Sequence, residues 1–294
     1  MNKKKIANLA PYGYITPITV ILIGFVIVSV IISIVLSFTR YNIMTPPTFY
    51  GLKNYERLVT DTKFMKALFN TLKLMVMIVP LQMILSLIVS VFLVSHRHML
   101  IGKIANSVIF IPVLCSNAAT GVIWRELLNG KIPAVETFFG LFGIKASMLL
   151  GNAKTALAVV AAVAIWKMLG YYVVIYSSGL LGISESFYEA AKVDGASTWK
   201  TYWSIVFPIM KPMHATVAVL TALGTWNDVM TPLVMMSGTG KNTLPLAQLN
   251  FQTQFGTNYN LAFASYLLAL IPIVIFYLVC QKQILNGVVN GAVK

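Results

Sequence analysis

The sequence has few charged residues. Asp, Glu, Lys and Arg together make up 10% of its 294 residues, whereas a soluble globular domain carries about 25%. Hydrophobic residues account for 58% of the chain, and the mean hydropathy is +0.80. This composition excludes an ordinary water-soluble domain, because too few charges are present to cover its surface. It indicates a chain that lipid solvates over most of its surface.

Acidic residues are the scarcer of the two charge types. The chain has 8 Asp and Glu against 22 Lys and Arg, which gives a formal net charge of +14. The basic residues are scattered between apolar segments and form no cluster interleaved with aromatic residues, so we expect no nucleic-acid partner. Attraction to anionic headgroups accounts for the excess, and membrane lipid is the expected partner.

Cysteine and histidine are also rare, with 2 and 3 residues. Cys115 and Cys280 both lie in apolar runs, which argues against a disulfide framework. His96 and His98 flank Arg97 in a short polar stretch without another metal ligand nearby, so no metal site is expected. No catalytic residues are predicted either, because no cluster of His, Asp and Glu and no nucleophile–base pair is visible.

A phosphate-binding loop is missing as well. The nearest candidate is Gly238–Asn242, with the sequence GTGKN. It lacks the glycine five residues before Gly240, and it lacks the Ser or Thr after Lys241 that would hold magnesium. We interpret it as a turn, and we expect neither ATP nor magnesium as a cofactor of this chain.

The sequence does contain long apolar segments. About 20 apolar residues in an α-helix cross a ~30 Å hydrocarbon core, and an open strand there would leave backbone groups unpaired. The first uncharged run, Ile15–Phe38, is longer than the apolar part of a signal peptide, so we expect a retained membrane helix. The sequence predicts an all-α membrane protein with six transmembrane helices, at residues 15–38, 67–94, 104–124, 155–181, 213–236 and 261–281.

No internal repeat of 20–50 residues and no linker rich in Pro, Gly or Ser divides the chain. We therefore expect a short N-terminal segment, residues 1–14, followed by a single transmembrane domain, residues 15–294. Prolines within the predicted spans either kink their helices or serve as hinges. They are Pro80, Pro112, Pro232 and Pro272.

The orientation in the membrane is only weakly encoded. Lys and Arg divide equally between the two sides of the six predicted spans, so the positive-inside rule alone does not decide it. Three consecutive lysines at residues 3–5 precede the first span and favour a cytoplasmic N-terminus. With six spans, both termini are then cytoplasmic and residues 238–259 are external.

The most informative segment is a polar island between two apolar stretches, residues 189–212. It reads EAAKVDGASTWKTYWSIVFPIMKP, with Glu-Ala-Ala at its start, Gly195, Ile205 and Pro208. This spacing resembles the cytoplasmic loop by which permease subunits of ATP-binding-cassette importers dock onto their ATPase partners. Phe207 stands where that family usually has leucine.

The residue types of this island suit a mechanical coupling element. Ser184 or Ser186 is a candidate N-cap, and Glu189 lies near the positive end of the helix dipole. Gly195 can adopt a positive φ, which would end this helix and redirect the chain into a second one from about Ser197. An ordinary pair of interfacial helices is the alternative. The resemblance implies a coupling loop at about 182–212, in which the residues that couple to the ATPase are Glu189, Ala190, Ala191, Asp194 and Gly195.

Further segments resemble the carbohydrate importers of the maltose type within this family. They are Phe49–Thr71, Thr225–Asp228 with Pro232-Leu233, Thr243–Pro245 and Gly287–Lys294. The first half is similar to the larger permease subunit of such systems and the last third to the smaller one, so the role of this subunit stays open. The resemblance implies a type I importer permease fold. It also implies a second homologous permease, two ATPase subunits that bind ATP and magnesium, and an extracellular solute-binding protein.

Polar residues inside the predicted spans are unfavourable in lipid and are expected to face the protein interior. Lys167 lies near the middle of the fourth span, where it either lines a solute path or pairs with a neighbouring helix. Asn227 and Asp228 lie midway along the fifth span. Asp228 either faces the solute or caps a broken helix before Pro232.

The resemblance also places further residues on the solute path. Tyr171 matches a sugar-contacting position of the maltose-type permease, and Thr221, Thr225 and Asp228 match its solute-facing side; their helical spacing supports one shared stripe. Helix packing is the alternative for each aromatic residue here, and it is the favoured interpretation for Tyr172. The candidate substrate-binding residues are Lys167, Tyr171, Thr221, Thr225, Asn227 and Asp228.

These observations predict a permease subunit of an ATP-driven importer for carbohydrate, of oligosaccharide type, in the bacterial cytoplasmic membrane. A permease of the same family for a non-sugar solute is the alternative. A secondary transporter is less favoured, because it would need inverted repeats and paired intramembrane ionisable groups. Only Lys167 and Asp228 are available for such a pair.

Overall fold

The computed structural model describes residues 3–42, 45–152, 155–236, 241–253 and 256–292. Most of these residues are α-helical, as the apolar segments predict, and the only strands within the described ranges form two short hairpins. Residues 238–240 of the glycine-rich turn and residues 293–294 of the tail lie outside the described ranges.

The chain forms helices of very unequal length. Those before residue 155 are α1 (Lys3–Leu22), α2 (Val28–Ser37), α3 (Lys53–Thr60), α4 (Thr62–Ser95), α5 (Leu100–Leu114), α6 (Asn117–Leu127), α7 (Pro133–Gly140) and α8 (Ala146–Gly151). Those after it are α9 (Ala156–Leu181), α10 (Glu185–Val193), α11 (Thr198–Thr201), α12 (Phe207–Ile209), α13 (Lys211–Asn227), α14 (Met230–Met235), α15 (Leu244–Gln248) and α16 (Tyr259–Ala292).

Shorter elements connect these helices. A π-helical turn, Ile23–Ile27, joins α1 to α2, and a second one, Tyr202–Val206, joins α11 to α12. Strand β1 (Thr39–Asn42) pairs antiparallel with β2 (Thr45–Phe49), and β3 (Gln252–Thr253) pairs with β4 (Gly256–Thr257).

Four stretches of helix are long and apolar enough to cross a membrane. They are Tyr12–Ser37, Thr62–Ser95, Ala156–Leu181 and Tyr259–Lys282. They correspond to the first, second, fourth and sixth predicted spans. Two bent helix pairs raise the number of candidate spans in the described residues to as many as six.

The third predicted span, residues 104–124, is wrong as a continuous helix. Helix α5 ends at Leu114, and α6 begins at Asn117 after a bend of 98°. Cys115 and Ser116 are both extended, and the Ser116 hydroxyl accepts a hydrogen bond from the Ala119 N–H at 3.1 Å. The serine therefore caps a new helix within an apolar run.

The fifth predicted span, residues 213–236, is also interrupted. Helix α13 ends at Asn227, Asp228 is extended, and α14 starts at Met230. The Asp228 carboxylate accepts a hydrogen bond from the Thr231 N–H at 3.1 Å. Of the two interpretations of Asp228, capping of a broken helix before Pro232 is therefore the one the backbone displays.

Contacts divide the chain into two compact units, which are described separately. The first comprises residues 1–65 and 248–271. Its buried Asn54 side chain donates to the carbonyl oxygens of Ser37 and Thr39 at 2.8 and 2.9 Å. The hydroxyls of Ser37 and Tyr55 also form a hydrogen bond, at 2.7 Å. These bonds satisfy the end of α2 where it turns into β1.

The second unit comprises residues 66–247 and 272–294. One apolar cluster packs residues of α4, α8, α9 and α14, including Leu74, Leu150 and Met235. A second cluster packs the other end of α9 against α13 and the residue before it, through Tyr176, Met210 and Val217. Helix α9 is therefore central to this unit.

Helices α5 and α9 approach each other through their backbones at Gly170. A Cβ atom placed on Gly170 of α9 would lie 2.4 Å from the carbonyl oxygen of Ile109 and 2.9 Å from the Phe110 Cα. Both neighbouring atoms belong to the backbone, so a side chain at this position would fit only if one helix moved away from the other. Gly170 therefore sets the distance between α5 and α9.

Replacing Gly170 with alanine should destabilise the protein by about 1–3 kcal/mol, the usual range for overpacking. Gly24→Ala is the matched control, because a Cβ atom there meets nothing within 4 Å. Thermal unfolding in detergent measures both. Equal melting temperatures for the two variants would contradict the close crossing.

Candidate functional site

The second unit encloses a cavity of about 160 Å³ at the two helix breaks. Asn117, the first residue after the α5–α6 break, and Asp228, at the α13–α14 break, both line it. Helix α9 contributes the opposite wall, and α4 contributes Gln82. Non-helical backbone at membrane depth is tolerated where it borders a cavity, so the breaks and the cavity depend on each other.

Buried polar side chains line this cavity, and among the described residues several of them lack a hydrogen-bond partner. Lys167 is only 7% exposed, and no hydrogen bond or ion pair to it is found among the described residues. Gln82 is fully buried, and neither its amide nitrogen nor its amide oxygen has a hydrogen-bond partner among the residues that the structure describes. Unpaired buried amide groups such as those of Gln82 are unfavourable by about 1–3 kcal/mol each. They indicate that something polar occupies the cavity when the protein works.

Four of the six predicted substrate-binding residues line this cavity. They are Lys167, Thr221, Thr225 and Asp228. The stripe expected on the fifth span is present, since Thr221 and Thr225 are one turn apart on α13 and Asp228 follows at its end. Their role in binding a substrate stays a prediction.

The other two predicted residues lie elsewhere. Tyr171 is 38% exposed and does not line the cavity, whereas its neighbour Tyr172 is buried and does. The two rings pack edge to face at 5.2 Å between centroids. Asn227 is exposed, and its side chain donates to the Leu223 carbonyl at 3.0 Å. Gln82, Asn117 and Thr231 are polar lining residues that the sequence did not predict, and Tyr172, for which helix packing was favoured, also lines the cavity.

The polar island forms the helical connection expected of it, running from α9 through α10, α11 and α12 to α13. Ser184 caps α10, accepting from the Ser186 N–H at 3.4 Å, and Gly195 has φ of 69°. The Ala196 N–H bonds the Ala191 carbonyl at 2.9 Å, and the Gly195 N–H bonds the Lys192 carbonyl at 3.1 Å. This pair of bonds is the Schellman motif, which requires a residue with positive φ at the position of Gly195.

This segment, residues 182–212, presents a mixed surface. Glu189, Ala190, Asp194 and Gly195 are exposed, whereas Ala191 is buried. Large apolar side chains accompany the acids: Val193 is 86% exposed and Trp199 is 72% exposed. An exposed apolar patch beside carboxylates is typical of a surface that another protein covers.

A row of aromatic rings connects this surface to the interior. Trp199 contacts Trp203, Trp203 contacts Phe207, and Phe207 packs on His214 of α13, with centroid distances of 5.8, 5.0 and 4.7 Å. The His214 Nδ1 forms a hydrogen bond of 3.0 Å with the hydroxyl of the fully buried Tyr176. Tyr176 lies one turn from Tyr172 of the cavity, so the row reaches the cavity wall.

Two sequence motifs that are far apart in the chain meet at the start of α4. The Asn70 amide donates to the Asn242 carbonyl at 3.0 Å, and the Thr71 hydroxyl accepts from the Leu244 N–H at 2.7 Å. These bonds fix the Thr243–Pro245 segment against α4. They are structural rather than solute-binding, because none of these residues lines the cavity.

The family model of binding-protein-dependent transport system inner membrane components matches residues 62–288. The chain belongs to this family. It is therefore a multi-pass protein of the inner membrane, and the predicted permease assignment is confirmed. A component of a transport system also agrees with the prediction that this chain is not an enzyme.

Similar proteins have been described in sugar transport systems. The permease MsmG of the multiple sugar-binding transport system of Streptococcus mutans is 46% identical over 115 residues, which are 39% of this chain and 42% of MsmG. MsmF of the same system is 30% identical, covering 84% of each chain. AraP, an arabinooligosaccharide transport permease of Bacillus subtilis, is 26% identical over 85% of this chain and 80% of its own.

The fold is shared with a solved transporter. One crystal structure shows a bacterial alginate transporter in complex with a periplasmic protein that holds an alginate pentasaccharide. A permease chain of that transporter superposes on this chain with a TM-score of 0.78. The match covers 95% of this chain and 96% of the other at 18% sequence identity. It confirms the predicted type I permease fold.

Gly195→Val should loosen the Schellman motif through backbone strain alone, because a Cβ atom on Gly195 meets nothing within 4 Å. A non-glycine residue at positive φ is unfavourable by about 1–2 kcal/mol, so the closed turn should open about 5–30 times more often. Hydrogen exchange of the Ala196 amide measures this opening. Gly195→Asn should exchange at an intermediate rate, and exchange in Gly195→Val as slow as in the native chain would contradict the assignment.

Proposed function

We propose that this chain is one permease subunit of an ATP-driven importer for carbohydrate. It works with a second homologous permease, two ATPase subunits and an extracellular solute-binding protein. One observation carries the proposal: the cavity and the exposed segment 182–212 are joined by the same two helices. Helix α9 leads from the cavity into this segment, and α13 leads from its end back to the cavity.

The chemistry of the cavity supports a sugar as the solute. Its volume of about 160 Å³ equals that of about five water molecules at ~30 Å³ each, so it accommodates about one sugar ring. Gln82, Asn117, Thr221 and Thr225 supply neutral donors and acceptors, and Lys167 and Asp228 supply one charge of each sign. The names of the relatives MsmF, MsmG and AraP, which concern sugars, point in the same direction.

The segment 182–212 is the proposed contact with an ATPase subunit. Glu189 and Asp194 offer charges to a basic partner surface, while Val193 and Trp199 offer apolar area. ATP and magnesium bind on the ATPase subunits, and this chain supplies the surface that their movement displaces. The aromatic row from Trp199 to Tyr176 then transmits this displacement towards the cavity.

The orientation follows from this contact. ATP is cytoplasmic, so the segment 182–212 faces the cytoplasm, and the hairpin of α7 and α8 at the other end of α9 faces outward. With six spans, both termini are cytoplasmic. The three lysines at residues 3–5 agree with this orientation.

Replacing either unpartnered side chain with an apolar one of similar size should separate transport from stability. Lys167→Met and Gln82→Leu remove a bond to the solute worth about 0.5–3 kcal/mol, so the half-saturating sugar concentration should rise about two- to hundredfold. Gln82→Leu should melt at least as high as the native chain, because it removes an unsatisfied buried amide. Lys167→Met should melt about as high, because it breaks no hydrogen bond or ion pair within the described residues. Uptake of labelled oligosaccharides and thermal unfolding measure the two effects.

Tyr171→Phe is the control, because Tyr171 lies outside the cavity, and its uptake should be unchanged. Unchanged uptake combined with a lower melting temperature in Lys167→Met would assign that side chain to the fold. If the native chain instead takes up a non-sugar solute and Lys167→Met impairs that uptake, the cavity would still be the solute site, but carbohydrate would not be the solute.

The orientation can be tested with single cysteines at exposed lysines on either side of the α5–α6 pair. In a background with Cys115 and Cys280 changed to serine, Lys131→Cys should react with an impermeant maleimide on intact cells. Lys103→Cys should react only after the membrane is opened. The reverse pattern would invert the proposed orientation.

A further inference from the structure

Helix α9 has a second concave face that the transport cavity does not use. The cavity is lined by a stripe of α9 that includes Val160, Ala164 and Lys167. A separate groove is lined by Ala158, Ala162 and Trp166. The two stripes are offset by two residues, which is about 200° of rotation at 3.6 residues per turn. The groove therefore lies on the opposite side of the helix, away from the solute.

The lining of the groove is apolar. Its residues come from α6, α7, α8 and α9 and include Trp124, Leu128, Phe139, Leu149 and Val163. Among the described lining residues, Thr155 alone has a hydroxyl, and that hydroxyl already donates to the Leu149 carbonyl at 2.6 Å. A sugar would find few partners here, whereas a hydrocarbon chain would lose none.

The dimensions of the groove fit one leaflet of a membrane. It has a volume of about 520 Å³ and extends along α9 from Thr155 to Trp166. Eleven residues of helix rise about 16 Å, which is close to half of a ~30 Å hydrocarbon core. At the inner end, the rings of Trp124 and Trp166 meet edge to face at 5.5 Å.

Basic side chains flank the outer end of the groove in the sequence. Lys131 follows the lining residue Leu128, and Lys145 precedes Leu149; both lysines are exposed. The hairpin that carries them is held in shape by Glu136. Its carboxylate accepts the N–H groups of Ser147 and Ala146 at 2.9 and 3.1 Å, and the bond from Ser147 holds the pKa of Glu136 below its usual value.

From this geometry we propose that the groove binds one acyl chain of a membrane phospholipid, whose anionic headgroup lies against Lys131 and Lys145. The apolar lining of the groove favours a hydrocarbon chain. The length of the groove, about 16 Å, fits an acyl chain that stays within one leaflet. The two lysines select an anionic over a zwitterionic headgroup. This lipid would be a fixed part of the protein and would cover one face of the helix that carries Lys167.

The proposal can be tested on the full-length chain, independently of transport. The chain is reconstituted in vesicles of phosphatidylglycerol and phosphatidylcholine, extracted in mild detergent and examined by native mass spectrometry. The native chain should retain one phospholipid with a preference for phosphatidylglycerol. Ala162→Phe fills the middle of the groove and should lower this retention about tenfold, since each excluded methylene group removes part of the hydrophobic stabilisation.

Val174→Phe is the matched control, because it adds a ring at an exposed position of the same helix outside the groove. It should retain lipid as the native chain does. Ala158→Leu is a milder second variant in case Ala162→Phe does not fold, and it should also lower retention. Changing Lys131 and Lys145 together to glutamine should abolish the preference for phosphatidylglycerol and leave retention of phosphatidylcholine unchanged.

Two outcomes would overturn the proposal. In the first, Ala162→Phe and Ala158→Leu fold and retain as much lipid as Val174→Phe. In the second, the native chain carries no lipid and forms a dimer that Ala162→Phe dissociates, which would mean that protein covers the groove.

Discussion

The need to pair every backbone N–H and C=O group away from water governs this structure. A membrane core offers no solvent partner, so the chain crosses it as helices, in which these groups bond to one another. The described part of the chain departs from this rule at two places within predicted spans, at Cys115–Ser116 and at Asp228. At both places a side chain provides the bond that the helix no longer supplies.

The two interruptions also shape the cavity. Each one shortens a helix on the border of the same cavity, and the short helices that follow, α6 and α14, pack closely against each other. Gly121 of α6 lies so near Val234 of α14 that an added Cβ atom would be 3.1 Å from its Cβ. Breaks, caps and close packing thus form one arrangement, which brings Asn117 and Asp228 to the cavity.

The segment 182–212 also combines an irregular backbone with side-chain contacts. Pro208 has no N–H group, and a π-helical turn precedes it at Tyr202–Val206, which widens the helix ahead of the proline. The rings of Trp203 and Phe207 pack on each other at this turn, and Phe207 reaches His214. An irregular backbone therefore brings aromatic side chains into the contact between the segment 182–212 and α13.

Features determined by nearby residues could be predicted from the sequence. The long apolar runs gave four of the spans, and Gly195 was expected to have positive φ because the residues around it define a helix end. The break at Cys115 was missed because the apolar run continues through it, and only Pro112 and Ser116 signal it. Gln82 was missed for a similar reason, since it lies inside an apolar helix and acquires its role from distant residues. The choice between Tyr171 and Tyr172 depends on a helix rotation of about 100°, which the sequence alone does not set.

The contact at Gly170 provides a point about which α9 can pivot. Because backbone touches backbone there, the helix can tilt about this point more easily than it can slide past it. The end of α9 at Leu181 is eleven residues away, about 16 Å, whereas Lys167 is three residues away on the other side, about 4.5 Å. A sideways displacement at the Leu181 end would therefore reach Lys167 reversed in direction and reduced between three- and fourfold. A large movement at that end of the helix would thus become a small adjustment at the cavity.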